Sequence, residues 1–360
     1  MLMTKPRVLI LYNYLFHYRI PIWNILAEKY ELKVIYSYPA KEAEIKKCNF
    51  ETEYIPVKSI SKLLYHEKKI SKIAEKYDVV LSDGQVTFID YSWLALRKRN
   101  YKLIYWCIGA PASYGRHYGE AGKGYFLVND FFHRKADAMV FYSDVPIESH
   151  VSRGYKRNSL FVANNTVQVE RIDVDWENKK NLLFIGTLYL EKGRQLLLDA
   201  YKKATTEKEN ILPLTIVGGG KQYDEVCKWV NDNNLNEKIV LTGPVYDQSE
   251  KAKIFAKSIA CISPLQAGLS VLESMGYGVP FITSSDAITG GEAFNISDRE
   301  TGLRLDDISV LSRVICDISE NPEIYIEMGK KAYSHYWSCR RPEDMARGLE
   351  DAIEYVKSLK

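Results

Sequence analysis

No apolar run in this 360-residue chain approaches the roughly 20 residues that a helix needs to cross a bilayer, so no membrane span is expected. The start, Met1–Arg7, leads into a short apolar run without the small residues of a cleavage site, which argues against a secretory signal. Cysteine is sparse and scattered (positions 48, 107, 227, 261, 316 and 339) and forms no CxxC pair. Reduced thiols in a cytoplasmic protein are the simplest reading. Internal repeats, low-complexity segments, a P-loop and a Gly-x-Ser-x-Gly elbow are all missing. No His/Cys/Asp grouping has metal-ligand spacing, so kinase, hydrolase and metalloenzyme chemistry fall away and no metal is expected. Asp173-Val174-Asp175 is formally a D-x-D signature. It lies between strand patterns rather than at a strand end and reads as structural.

What is present is ordinary globular material, 46% hydrophobic and 26% charged, enough for two domain cores. The charge is unevenly placed. Residues 1–165 carry 25 Lys+Arg against 16 Asp+Glu, or +9, whereas residues 166–360 carry 24 against 30, or −6, together the net +3. A basic half suggests an anionic partner, with nucleic acid and an anionic membrane surface as the candidates.

Short apolar runs alternate with amphipathic stretches, the pattern of parallel α/β sheets. In the first half the runs are 7–12, 32–38, 79–82, 103–106, 138–142 and 160–163, with helices over 20–29, 68–76 and 88–99. Pro21 suits the first turn of its helix. In the second half the runs are 182–186, 214–217, 239–242, 260–263 and 281–283. The expected fold is two Rossmann-like doubly wound α/β domains facing across a cleft. Residues 1–165 form the first domain, 166–180 a hinge, 181–340 the second domain, and 341–360 a helix crossing back.

Ligands of doubly wound sheets bind beyond the carboxyl ends of the strands, and four loops there carry chemistry. Gly186-Thr187 through Lys192-Gly193 is a glycine turn followed by a lysine at a helix start, suited to phosphate. Gly218-Gly219-Gly220 lacks the Gly-x-Gly-x-x-Gly spacing of a dinucleotide fingerprint, which disfavours a dehydrogenase. Gly243, Val245 and Tyr246 offer backbone groups and an aromatic face to a base. The fourth loop, Ser263-Pro264-Leu265-Gln266-Ala-Gly268-Leu269-Ser270, opens a helix that carries Glu273 and ends at Gly276, before Val279-Pro280. A diphosphate on its amides with ribose on Glu273 is a coherent site.

This pattern resembles the family 4 glycosyltransferases of the GT-B fold, retaining enzymes that use nucleotide-sugar donors. The stretch from Tyr14 to Pro21 resembles their first aromatic loop beside the acceptor site. Tyr105-Trp106-Cys-Ile-Gly109 resembles a second cleft loop, and Trp337 an aromatic that precedes the returning helix. The resemblance implies that the first domain binds the acceptor and the second the nucleotide sugar, that Lys192 holds donor phosphates and that Glu273 binds ribose. It also shows departures. Thr187 stands where an arginine is usual, Leu265 stands where the first glutamate of a Glu-x7-Glu pair belongs, with Gln266 beside it, and Ile108 replaces a cleft histidine.

The implied activity is retaining transfer of a sugar from a nucleotide-sugar co-substrate, with no further cofactor, to a glycan or lipid-linked glycan acceptor in cell-surface polysaccharide synthesis. Lys192, Glu273 and Arg19 are the catalytic candidates. Gly186, Thr187, Lys192, Gly218, Gly219, Gly243, Val245, Tyr246, Gln266, Gly268, Leu269, Ser270 and Glu273 are the donor-binding candidates. His17, Arg116, His117 and the turn Gly290-Gly291-Glu292 are further candidate contacts. The basic first domain then meets the inner membrane face rather than nucleic acid. A non-catalytic nucleotide-sugar-binding subunit and a GT-B nucleotide-sugar epimerase are the alternatives.

Overall fold

The computed structural model describes residues 5–112, 117–120, 123–188 and 193–359. Two compact units account for the chain, residues 1–111, 119–166 and 342–360 forming the first, and residues 112–118 and 167–341 the second.

In the first unit the elements are β1 (Arg7–Tyr12), α1 (Ile20–Lys29), β2 (Glu31–Tyr36), α2 (Glu42–Ile45), β3 (Glu51–Tyr54), β4 (Val57–Ile60), β5 (Leu63–His66), α3 (Ile70–Ala74), β6 (Val79–Ser82), α4 (Ile89–Leu96), β7 (Lys102–Cys107), α5 (Lys123–His133), β8 (Ala138–Phe141), α6 (Pro146–Ser152) and β9 (Leu160–Val162). Among the described residues, the sheet runs β3-β2-β1-β6-β7-β8-β9, with all pairs parallel. Its central strands are buried on both faces, which is why Val, Ile and Leu fill them without alternation. In β3, an edge strand, no residue is fully buried, and charge takes the place of an apolar run. Glu51 and Glu53 reach Lys33 on the neighbouring β2, at 2.7 and 2.8 Å. That charged edge, and the β4–β5 antiparallel hairpin, are not among the strands expected from the sequence.

The second unit comprises β10 (Asn181–Ile185), α7 (Arg194–Glu207), β11 (Leu214–Val217), α8 (Tyr223–Asp232), β12 (Ile239–Gly243), α9 (Gln248–Ala256), β13 (Ser258–Ile262), α10 (Ser270–Gly276), β14 (Phe281–Ser284), β15 (Gly302–Leu305), α11 (Leu311–Glu320) and α12 (Pro322–Cys339). Its parallel sheet has the order β12-β11-β10-β13-β14-β15. The polar segment after Thr166 packs on this unit. Val169 fills the space beside Gly276, Trp176 lies against Gly278, and Tyr336 Oη donates to the Val167 carbonyl at 2.6 Å. The last helix, α13 (Pro342–Ser358), belongs to the first unit, where Met345, Ala346, Leu349, Ile353 and Val356 join the core under α1.

One buried cation lies at the amino-terminal side of the second sheet. Lys179 donates to the carbonyls of Phe255 (3.3 Å) and Ser258 (3.1 Å) and has no carboxylate partner among the described residues. Burial pushes its amine down to about 7. Between that value and the usual lysine value, the unfolded chain binds the extra proton, so stability rises with pH across that window. The burden is complete below it and absent above it. Relative to Lys179→Met, the wild-type chain should therefore gain on the order of 2–4 kcal/mol between pH 7 and 10. Parallel stability–pH curves for the two proteins would refute this.

Candidate active site

In the second sheet the strand order reverses between β10 and β13, and ligands of open α/β sheets bind beyond the carboxyl ends of strands at such a point. Three glycine turns meet on one side of it, beyond β10, β11 and β12. The Gly186 N–H donates to Val217 O at 2.9 Å, the Leu188 N–H to Gly219 O at 2.8 Å, and the Gly218 N–H to Gly243 O at 2.9 Å. Gly218 has φ 153°, and a Cβ on it would run into the carbonyl oxygen of Gly186. These loops lie side by side because their glycines let backbone touch backbone.

The loop after β13 is pinned on both sides. Ser263 Oγ donates to Gln266 O at 2.8 Å, while Ile288 N–H donates to Leu265 O and Ala267 N–H to Ile288 O, at 2.8 and 2.9 Å. Leu265 Cγ lies 2.7 Å from where a Gly193 side chain would begin. Leu265 thus packs against the start of α7. Beyond Gly268 and Leu269, the short α10 begins at Ser270, and Trp337 Nε1 secures its far end by donating to Gly276 O at 2.9 Å.

Glu273 is no solvated helix glutamate. It is nearly buried and ion-paired through Oε1 with Lys251 of α9, itself nearly buried. That engagement leaves Oε2 as an acceptor for hydroxyl donors. Lys251 is not legible in the sequence, since a lysine on a charged helix looks like any solvated one. Arg194 was missed for the same reason. It is buried, and it ties α7 to α8 through Gln222 Oε1 (2.9 Å) and Glu225 Oε2 (2.8 Å).

Other candidates are placed less closely. Thr187 is exposed, Val245 half-buried, and Tyr246 stands 85% exposed, with its ring free to meet a base. Glu292 is buried, and its Oε2 accepts from Gly290 N–H (2.9 Å) and Thr289 Oγ1 (3.2 Å), so one oxygen serves its own turn. His117 donates to the Asp286 carbonyl at 2.9 Å, and Asp175 caps a local turn at Glu177 and Asn178. Lys192 and Arg116 lie outside the described residues. His17 stands beside Tyr18 at the start of α1.

Arg19 requires a correction. It is 2% exposed, inside the first unit, with its guanidinium 4.9–5.1 Å from the rings of Tyr18, Trp106 and Tyr142 and an Nη1 contact to Met345 Sδ of 3.2 Å. A side chain enclosed this way packs the core and cannot touch a substrate, so it is no catalytic candidate.

Two parallel doubly wound sheets in one chain are the GT-B architecture. Residues 179–321 match the family described as glycosyl transferases group 1. The second unit therefore carries a glycosyltransferase group 1 domain, the domain of a transferase enzyme. Over 176 residues the chain is 22% identical to a poly(ribitol-phosphate) alpha-N-acetylglucosaminyltransferase of Staphylococcus aureus, a match that covers 48% of this chain and 35% of that enzyme. It is 23% identical over 289 residues to the uncharacterized glycosyltransferase MJ1069 of Methanocaldococcus jannaschii, covering 75% of this chain and 71% of that one. The fold is shared with Anabaena HepE, solved with UDP-glucose. That superposition has a TM-score of 0.71 at 14% identity and covers 98% of this chain and 100% of HepE.

Proposed function

We propose that this chain transfers a sugar from a UDP-sugar to a hydroxyl of a glycan or lipid-linked glycan, with retention at the anomeric carbon. The observation that carries the reading is the meeting of the Gly186, Gly218 and Gly243 turns beyond the carboxyl ends of β10, β11 and β12, together with the Glu273 carboxylate, which lies on the helix that follows β13 and is held by Lys251. The uracil nucleotide is adopted from the UDP-glucose complex of HepE. The polyol-bearing acceptor follows the printed activity of the staphylococcal relative.

Without a carboxylate at position 265, no protein nucleophile is assigned, and a front-face displacement suits the residues present. Lys192 neutralises charge as the diphosphate leaves, and the leaving phosphate takes the acceptor proton. A stabiliser of this kind contributes about 2–4 kcal/mol to the transition state. Glu273 accepts the ribose hydroxyls on the oxygen that Lys251 leaves open. No cofactor beyond the donor enters the scheme.

A donor panel tests this. UDP- rather than GDP-, dTDP- or ADP-sugars should raise the melting temperature and be slowly hydrolysed. Lys192→Ala and Glu273→Gln should each weaken binding at least tenfold; glutamine preserves volume beside Lys251, where alanine would strand a nearly buried lysine. Unchanged affinity in both variants, or no response to any nucleotide, defeats the reading. Binding with neither transfer nor hydrolysis would favour a non-catalytic nucleotide-sugar-binding subunit.

The same proposal seats the first unit on an anionic membrane surface. Helices α4 and α5 touch each other and expose Ile89, Trp93 and Leu96 on one, and Leu127 (71%), Val128 and Phe131 (57%) on the other. Basic residues follow each helix, Arg97-Lys98-Arg99 and Arg134-Lys135. Aromatic and aliphatic side chains beside Lys and Arg suit a headgroup layer, where each cation near the surface contributes about 1 kcal/mol. The chain should float with phosphatidylglycerol vesicles at low salt, and Trp93→Glu combined with Leu127→Glu and Phe131→Glu should abolish flotation. Equal flotation of wild type and variant removes this surface from the account.

A further inference from the structure

Helices α9 and α10 meet along matched faces. Lys251 and Phe255 lie four residues apart on α9, as do Glu273 of α10 and Tyr277 at its end. Each pair therefore shares one side of its helix. The Phe255 and Tyr277 rings stack at 4.8 Å with 19° between their planes. One turn away, Lys251 Nζ donates to Glu273 Oε1. An aromatic stack and an ion pair thus join the two helices in a single register.

The backbones beneath the ion pair are fixed without it. Asp247 caps α9, its Oδ1 accepting from Glu250 N–H at 3.0 Å, and Ala252 and Phe255 bury that helix's inner side. Every residue of α10 from Val271 to Gly276 is buried, and Glu273 N–H donates to Leu269 O at 3.0 Å. What the ion pair adds is the direction of two long side chains, each of which would otherwise sample several rotamers.

Burial sets this pair apart from its neighbour on α9. Lys253 and Glu250 leave 68% and 57% of their side chains in water, whereas Lys251 and Glu273 leave 13% and 12%. A pair so nearly enclosed loses most of its Coulomb gain to desolvation, and apolar residues of like volume would join the helices as well. It is a poor fastener but a good way to hold one carboxylate oxygen at a fixed point. The second oxygen of Glu273 is not enclosed and accepts no hydrogen bond among the described residues.

We propose that Lys251 is a positioning residue that makes the donor site select ribonucleotides, by fixing Glu273 so that its second oxygen accepts the nucleoside 2′-hydroxyl. An ionised carboxylate only accepts, so a nucleotide without that hydroxyl leaves it facing nothing. An acceptor left unpaired in a nearly buried place is costly. Deoxyribonucleotides, dTDP-sugars among them, are thus rejected at the pentose and not only at the base. The inference rests on the transferase reading and adds to it how a wrong nucleotide is refused and which residue is responsible.

Calorimetric titration of the full chain with UDP and 2′-deoxy-UDP, which differ only in that hydroxyl, tests it. The wild-type chain should prefer UDP at least tenfold. Lys251→Met should weaken UDP at least fivefold and leave 2′-deoxy-UDP within twofold, so that the preference falls to about twofold. Lys251→Arg keeps the cation and should keep the preference above fivefold, and the exposed Lys253→Met should change neither affinity. Lys251→Met combined with Glu273→Leu should melt within about 3 °C of wild type and show no preference. Equal weakening of both nucleotides in Lys251→Met assigns the lysine to the phosphates or to packing and overturns the inference. So does a wild-type chain that binds the two nucleotides alike, or a double variant that fails to fold. A wild-type chain that binds neither nucleotide is instead a failure of the transferase reading, and the inference falls with it.

Discussion

Gly218→Ala should abolish nucleotide binding and lower the melting temperature by about 10 °C, as expected for roughly 3 kcal/mol in a unit of this size. The new Cβ has nowhere to go, because the atom it meets is the Gly186 carbonyl oxygen, part of the backbone. That backbone cannot give way easily. Gly186 N–H is bonded to Val217 O and Gly218 N–H to Gly243 O, so moving one turn drags the other two. The backbone angle adds to the cost, since φ 153° is a conformation that L side chains seldom adopt. The neighbouring glycine supplies the control. A Cβ on Gly219 would approach Pro244 Cδ at 3.3 Å, a side-chain contact that can relax. Gly219→Ala should therefore keep most of the stability. If the two variants lose equally, crowding between turns is not what glycine at 218 relieves.

Arg19→Ala should cost about 3–5 kcal/mol, whereas Arg19→Met should stay within about 1 kcal/mol of wild type. The guanidinium is buried with no carboxylate among its contacts, which alone would be strongly unfavourable. Three ring faces at about 5 Å offset that cost, each by up to about 2 kcal/mol when water is excluded. Charge and desolvation thus nearly cancel, and what remains is volume: the side chain fills the space between α1, β7, β8 and α13. Alanine leaves a cavity, and methionine refills it. Chemical denaturation of the two variants measures this, with nucleotide binding as the second readout, and both should bind UDP as wild type does. A folded Arg19→Met that binds donor yet has lost transfer would return Arg19 to the reaction.

How far the sequence could be read depended on where each residue's partners lie. Runs such as Val79–Ser82 and Leu214–Val217 announce themselves because strands covered on both faces must be apolar throughout. The edge strand Glu51–Tyr54 does not, since its charges answer Lys33 across the ladder. Glycine after a strand was visible, and Gly186, Gly218 and Gly243 come together in one place. Lys251 left no comparable trace: a lysine on a helix is commonplace until the fold shows what surrounds it. Arg19 misled for the opposite reason. Its aromatic, proline-containing loop looks like a binding loop, and only Trp106, Tyr142 and Met345, far away in the chain, reveal a packed interior.

The placement of α13 makes the first unit discontinuous, with a consequence for synthesis on the ribosome. Met345, Ala346, Leu349, Ala352, Ile353 and Val356 complete a core whose other buried members are translated before residue 164, so that core stays open while the whole second unit emerges. The second unit holds all its own strands by residue 305 and can close first. The nascent chain thus carries an unfinished sheet face for nearly half its length, and removing the last 19 residues would leave that face bare while sparing the donor loops.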